Sequence, residues 1–222
     1  MARKRKERLT AFNRANIMKS ASQLFKEKGV DGTTMDDIAK ASEYSKTTIY
    51  GYFSNKEDLV NHIMYDGMAL FKRKLCEEAK QSTDFEDFYK RFCQLLLKFH
   101  DEQPIYYEGI VWAIACVENV PTTDILQKIY LSGKDVNQII EEKMALAIKA
   151  KEISLDAGDI CSTVLFMWFC IMGILEKSTV KESYISAELN STKQEFTALA
   201  FKKLYGLLTE KIDRVSHLAL VL

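Results

Sequence analysis

The chain has 222 residues, in which 31 lysines and arginines balance 31 aspartates and glutamates, 47% of the residues are hydrophobic and only two are prolines. This length and composition exclude a disordered or low-complexity chain and allow one or two compact domains. Proline interrupts helices and β-sandwiches need many turn residues, so the composition favours an all-α fold over an all-β one.

The zero net charge conceals a basic N-terminal end. Residues 1–60 hold 12 basic and 8 acidic side chains, so this part of the chain carries a net charge of +4. Residues 1–9 form a basic arm, whose cations are Arg3, Lys4, Arg5, Lys6 and Arg8. Such a cluster is attracted to a polyanion, although a solvated tail has the same composition.

Cysteine usage predicts a reducing compartment. The chain has an odd number of cysteines, five, and no pair has the two-residue spacing typical of zinc sites. We therefore expect buried thiols and a cytoplasmic protein without a metal or other cofactor.

One segment, residues 160–175, is almost continuously apolar. It is shorter than the roughly 20 residues that span a bilayer, so a helix buried on two sides is favoured over a membrane segment. Burial on both sides suggests a partner subunit.

Helix start signals predict four helices in the first 75 residues. The first covers about 10–28, the second follows Thr34 and the third follows Ser45. The fourth begins at a capping box formed by Ser54 and Glu57.

Further helices are predicted along the rest of the chain. A capping box of Thr83 and Glu86 opens one, and a box of Thr192 and Glu195 opens the last. Apolar periodicity places the others at about 105–118, 124–148 and 155–177, and extends the last helix to about residue 212. Since no segment is typical of a strand, the sequence predicts an all-α protein.

The segment 33–53, TTMDDIAKASEYSKTTIYGYF, has the spacing of a helix-turn-helix motif. With Ile49 and Phe53 turned inward, the outward face of its second helix carries a cation, hydroxyls and phenols but no acid, as suits a polyanionic partner. These outward residues are Lys46, Thr47, Thr48, Tyr50 and Tyr52. Lys56, at the next helix start, could bind a phosphate together with the helix N-terminus. A purely structural helical hairpin remains the alternative.

Residues 10 to about 75 resemble the DNA-binding domain of the TetR/AcrR family of transcriptional regulators. The similarity rests on LFKEKGVDGTTMDDIAKAS and YSKTTIYGYFSNKEDL. It implies a three-helix DNA-binding domain at 10–54 and a helical effector-binding and dimerisation domain at 55–222. It also implies that Thr33 and Thr34 touch phosphate, that Lys46, Thr47 and Thr48 face base edges, and that Tyr50, Tyr52 and Lys56 hold the DNA backbone.

The turn of the motif departs from the family pattern. Glu43 stands where family members commonly have glycine. A left-handed backbone there would cost a non-glycine residue roughly 1 to 2 kcal/mol, so either the turn differs from that of the family or the strain is tolerated. The glutamate also brings a negative charge close to the expected DNA face.

The resemblance further implies a homodimer formed through the last two long helices, a quasi-palindromic operator of double-stranded DNA and a small-molecule effector that releases it. The candidate residues for the effector pocket are Tyr106, Tyr107, Trp112, Cys116, Met167, Trp168 and Met172. Taken singly, each has the ordinary alternative of core packing.

Enzyme function is not expected, because His62, His100 and His217 are scattered and no phosphate-binding glycine loop or flanked nucleophilic serine occurs. The sequence therefore predicts a ligand-responsive regulator, most simply a repressor. The rival interpretation is a helical protein-interaction module without specific DNA binding.

Overall fold

The structure of the protein, a computed structural model, describes residues 2–115 and 123–209. These residues form ten α-helices and no strand, which confirms the all-α prediction. The helices are α1 (Ala2–Lys28), α2 (Met35–Ser42), α3 (Lys46–Tyr50), α4 (Lys56–Gln81), α5 (Phe85–Glu102), α6 (Pro104–Ala115), α7 (Asp124–Ala150), α8 (Ile160–Val180), α9 (Glu182–Leu189) and α10 (Lys193–Thr209).

The start of α1 corrects the picture of a separate N-terminal arm. The helix begins at Ala2, so residues 2–9 are its first turns rather than an extended tail. Arginine, lysine, glutamate and leucine all favour helix, and an ion pair between Arg3 and Glu7, with Nε to Oε1 at 3.1 Å, links successive turns.

Two helix starts lie one residue later than predicted. At α4, the Asn55 side chain accepts a hydrogen bond from the Asp58 amide at 2.8 Å, and the Asp58 carboxylate accepts one from the Ser54 amide at 2.8 Å. At α5 the side chain of Asp84 caps in the same way, because asparagine and aspartate cap at least as well as serine and threonine.

Other differences lie in the second half of the chain. The Thr192 and Glu195 capping box is formed as predicted. The apolar helix α8 begins at Ile160, after a 3₁₀ turn at Ala157–Asp159, and α9 was not predicted. The predicted end of the last helix, beyond residue 209, lies outside the described residues.

The chain divides into two compact units. The N-terminal unit comprises Met1–Phe71 and Lys98–Gly133, and the C-terminal unit comprises Lys72–Leu97 and Lys134–Leu222. This division differs from the predicted boundary at 54/55, because the first half of α4 and the described α6 belong to the same unit as the helix-turn-helix.

The helices of the N-terminal unit meet closely at glycines. A Cβ atom at Gly67 of α4 would lie 2.5 Å from Cγ of Tyr106 on α6, and one at Gly109 of α6 would lie 2.9 Å from the carbonyl oxygen of Met64. Larger residues at these two positions would force α4 and α6 apart.

The core of the C-terminal unit centres on Trp168 of α8, which is fully buried. Its indole N–H donates to Oδ1 of Asn137 on α7 at 2.8 Å, and its ring meets Phe92 edge to face with centroids 5.2 Å apart. The Tyr89 hydroxyl donates to the buried carbonyl of Phe201 on α10 at 3.0 Å. Each polar group on these aromatics thus has a partner inside the unit.

Candidate nucleic-acid interface

The turn between α2 and α3 keeps a left-handed residue at Glu43, so of the two alternatives the strain is tolerated and the turn is not altered. Glu43 ends α2 at φ 59° and ψ 27°, and its amide donates to the carbonyl of Lys40. The next amide, that of Tyr44, donates to the carbonyl of Ala39 at 3.2 Å. These bonds satisfy the carbonyls of Ala39 and Lys40 near the end of α2, and they hold Glu43 in its left-handed conformation.

Helix α3 presents the predicted face. Ile49 is fully buried and Phe53 is 1% exposed, whereas Lys46 and Thr47 are exposed and Tyr50 is 51% exposed. Ile49 and Phe53 therefore fix the rotation of α3, and its polar side points to solvent.

Ser45 caps α3 and also engages Thr48. The Ser45 Oγ accepts a hydrogen bond from the Thr48 amide at 3.1 Å and lies 2.8 Å from the Thr48 Oγ1. Thr48 is half-buried, and its hydroxyl is held in place by Ser45.

Lys46 makes an ion pair across the motif with Asp36, Nζ to Oδ1 at 2.5 Å. Both side chains are about half exposed, at 55% and 53%. An exposed pair of this kind contributes roughly 0 to 1 kcal/mol, so a phosphate or base edge can compete for the ammonium.

Asn13 of α1 is a contact that sequence reasoning missed. Its Oδ1 accepts from the Tyr44 hydroxyl at 3.0 Å, and its Nδ2 donates to the Tyr52 hydroxyl at 3.1 Å. One side chain thereby joins α1 to the turn before α3 and to the segment after it. The Tyr52 hydroxyl is used as an acceptor, so its own proton stays available for a phosphate oxygen.

Thr34 caps α2 as predicted and is exposed. Its Oγ1 accepts from the Asp37 amide at 3.1 Å, and its own hydroxyl and amide donate to the Asp37 carboxylate. These hydrogen bonds from Thr34 hold the pKa of Asp37 below its ordinary value.

The Thr33 side chain is not in the position expected for a phosphate contact. It is fully buried and donates to the carbonyl of Gly29 at 2.8 Å, so it does not reach the surface where phosphate would lie. The hydroxyl closes the loop after α1, where the carbonyl of Gly29 needs a donor.

Lys56, which was expected to hold the DNA backbone, also binds within the protein. Its ammonium donates to the carbonyl oxygens of Val30 at 2.7 Å and Thr33 at 3.0 Å. Two of its three donors therefore serve the loop between α1 and α2, where the Val30 carbonyl also accepts a hydrogen bond from the Thr33 amide at 3.3 Å.

The candidate effector residues are divided between the two units. Tyr106, Tyr107 and Trp112 lie on α6 in the N-terminal unit, whereas Met167, Trp168 and Met172 lie on α8 in the C-terminal unit. Met167 is 1% exposed and Trp168 is fully buried, so these two are core residues rather than cavity walls. Cys116 lies outside the described residues.

An extended apolar surface covers α8 and α10 in the C-terminal unit. Its large exposed side chains are Leu165, Phe166, Phe169, Leu199 and Leu207. An open groove of about 790 Å³ runs between α8, α9 and α10, with Phe169 and Leu207 among its walls. Apolar surface of this extent is typical of a contact with another molecule.

Helix α8 is also long and apolar. In the described residues, the stretch Ala157–Val180 is long and apolar enough to cross a membrane by length and composition alone, and 28% of its most apolar window is buried. The expected burial on two sides is therefore not complete in a single chain.

Comparison with known proteins gives a consistent picture. The family model described as bacterial regulatory proteins, tetR family, matches residues 17–63. A relative from Staphylococcus aureus strain Newman, the biofilm operon icaADBC HTH-type negative transcriptional regulator IcaR, is 46% identical over 174 residues, which cover 75% of this chain and 88% of IcaR.

Two solved structures share the fold. AibR, in complex with isovaleryl coenzyme A and operator DNA, superposes with a TM-score of 0.61 at 18% identity, over 87% of this chain and 98% of AibR. FadR from Bacillus subtilis, in complex with stearoyl-CoA, superposes with a TM-score of 0.59 at 19% identity, over 89% of this chain and 98% of FadR.

Proposed function

This chain belongs to the TetR family of transcriptional regulators, and from that membership we propose that it represses transcription by binding a quasi-palindromic DNA operator as a homodimer until a small-molecule effector releases it. It is a regulator and not an enzyme. The observation that carries the proposal is the outward face of α3, whose exposed groups are a lysine, a threonine and a tyrosine above a fully buried Ile49.

Within this proposal, α3 enters the major groove of the operator. Lys46, Thr47 and Thr48 face base edges at its N-terminal end, where such side chains distinguish base pairs. Thr34, Tyr50 and Tyr52 hold the phosphates on either side. The IcaR relative is named a negative regulator, which supports repression rather than activation.

The exposed apolar surface of α8 and α10 supports the homodimer. A second copy that covers Phe169 and Leu207 would remove this surface from water at roughly 25 cal/mol per Å². A two-fold dimer places two copies of α3 about 34 Å apart, one turn of DNA, on a palindromic site.

The proposed effector binds in the helical C-terminal part of the chain. Coenzyme A thioesters are the first ligand class to test, because AibR and FadR are each described in complex with one. Such an effector lowers operator affinity only if it binds more tightly to a conformation of the protein that binds DNA weakly. The protein acts in the cytoplasm, without a membrane partner.

Fluorescence anisotropy with duplex DNA tests the central claim. A duplex selected by the wild-type protein from a random pool should bind far more tightly than a random duplex, with a steep dependence on salt. Thr47→Ala should change which sequences are preferred, and Tyr50→Ala should weaken all duplexes alike. Indifference to DNA at every salt concentration would favour the protein-interaction module instead.

Sedimentation velocity tests the dimer. Phe169→Glu, in the apolar groove, should give monomers at micromolar concentration. Leu146→Glu is the matched control, because Leu146 is 61% exposed on α7 and Phe169 is 57% exposed. Equal effects of the two variants, or a wild-type monomer, would contradict dimerisation through α8 and α10.

A further inference from the structure

We propose that the first turns of α1 form a second DNA-binding element, which binds backbone phosphates outside the base pairs that α3 contacts. The inference rests on the proposed operator binding and adds a surface to it. The element is called the basic rod here and comprises residues 2–12.

The basic rod continues past the part of α1 that packs in the N-terminal unit. The first fully buried residue of α1 is Ile17, and the first side chain with a bond to the helix-turn-helix is Asn13. Every side chain from Arg3 to Phe12 is exposed. At 1.5 Å per residue, the axis from Ala2 to Asn13 is about 16 Å long.

The charged side chains of the basic rod are nearly all positive. It carries five basic residues and one acid, Glu7, which is paired with Arg3. The helix N-terminus adds a partial positive charge at the same end. A polyanion therefore finds several cations on an ordered support, whereas a disordered arm would lose conformational entropy on binding.

The direction of the rod follows from Asn13. This side chain bonds to Tyr44 before α3 and to Tyr52 after it, so its face of α1 is turned toward the recognition helix. Lys6 lies seven residues before Asn13, two turns along nearly the same face. Arg3 and Arg5 flank that line, while Lys4 and Arg8 lie on the opposite side of the helix.

The rod thus extends the surface that begins at Tyr52. The phenol of Tyr52 has a proton to donate to a phosphate oxygen. Lys6 and its two flanking arginines come next along the same side. Cations in this position suit phosphates that follow those held by Tyr52, and they carry no information about sequence.

The rod also has apolar side chains, since Leu9 is 59% and Phe12 is 61% exposed. A basic helix with such a flank can lie on an anionic membrane. Three of the five cations, Arg3, Arg5 and Lys6, nevertheless lie on or beside the side that continues from the helix-turn-helix, which favours DNA. The membrane surface is the competing outcome of the test.

The experiment compares three full-length proteins by fluorescence anisotropy over a series of salt concentrations. They are the wild type, the triple variant Arg3→Ala, Arg5→Ala, Lys6→Ala, and a control triple variant with the same loss of charge on exposed lysines of the C-terminal unit, Lys80→Ala, Lys149→Ala, Lys202→Ala. The probes are the duplex selected by the wild type and a random duplex of equal length. Alanine keeps the helix, which far-UV circular dichroism verifies.

We expect the rod variant to lower the slope of log K against log salt by about 2 or more for a dimer, since each phosphate that is no longer neutralised removes about 0.9 from the slope. Its affinity should fall roughly tenfold or more for both duplexes at about 0.1 M salt, with the preference between them retained. The control variant should keep the wild-type slope.

Three results would contradict the proposed role of the basic rod in DNA binding. They are an unchanged slope in the rod variant, an equal loss in the control variant, and unchanged DNA binding combined with loss of binding to phosphatidylglycerol vesicles that the wild type retains. Wild-type protein that binds neither duplex overturns the proposed function itself. A wild type that binds DNA with an inert rod overturns only this inference.

Discussion

Lys56 fastens the start of α4 to the loop between α1 and α2, and its replacement should destabilise the protein. Lys56→Met keeps an unbranched apolar side chain of similar length, but it removes the ammonium that donates to the carbonyls of Val30 and Thr33. Hydrogen bonds from a charged donor contribute about 1.5 to 3 kcal/mol each, and the site is only partly buried. We therefore expect the free energy of unfolding to fall by about 2 to 3 kcal/mol for the two bonds together.

Urea unfolding followed by circular dichroism measures this change. Wild type and variant are compared at one protein concentration, because association of the chains would add to apparent stability. The midpoint should shift without a change in the m-value. Lys40→Met is the matched control, since Lys40 is exposed on α2 and such substitutions alter stability by less than about 0.5 kcal/mol.

The same variant separates this role from phosphate binding. If the Lys56 ammonium served the operator instead of the loop, Lys56→Met would unfold at the wild-type midpoint. It would then lower the salt slope of DNA binding by about 1 for each phosphate that the ammonium had neutralised. That pair of results would refute the role assigned to Lys56 here.

Glu43→Gly should raise the free energy of unfolding by up to about 1 kcal/mol, measured in urea, because glycine accepts the left-handed backbone; Glu43→Gln, which removes only the charge, should not. Gly67→Ala should lower the melting temperature through its clash with Tyr106, at about 1 to 3 kcal/mol, and an unchanged melting temperature would contradict the close approach of α4 and α6. Burial raises the pKa of the Cys93 thiol to about 12, so at pH 8 it stays protonated. Mass spectrometry after maleimide treatment at pH 8 should find Cys93 unlabelled in native protein and labelled after unfolding in urea; labelling of Cys93 in the native protein would contradict this.

The sequence predicted the local parts of the site correctly. Thr34 and Ser45 act as N-caps, and Ile49 and Phe53 are buried, because capping and helix periodicity depend on residues only a few positions apart. The family pattern left open whether the turn at Glu43 differs or its strain is tolerated; Glu43 is left-handed, so the strain is tolerated.

What the sequence missed depends on contacts between distant residues. Asn13 bonds to tyrosines 31 and 39 residues away, and Lys56 reaches carbonyls 23 and 26 residues away. Motif spacing marks an exposed lysine as a phosphate ligand, but it does not show that loop carbonyls recruit it first. For Met167 and Trp168, an apolar helix pattern is the same for a core and for the wall of a cavity.

These distant contacts explain how so short a recognition helix keeps its orientation. Helix α3 has five residues, and a helix of that length does not form alone in water. Buried Ile49 fixes its rotation, and Asn13 ties the chain at both ends of it through Tyr44 and Tyr52. The DNA-facing groups of α3 are therefore positioned by α1 as much as by their own helix. Helix α1 would thus have two roles: its basic first turns bind phosphates, and its Asn13 keeps α3 in the orientation in which it enters the major groove.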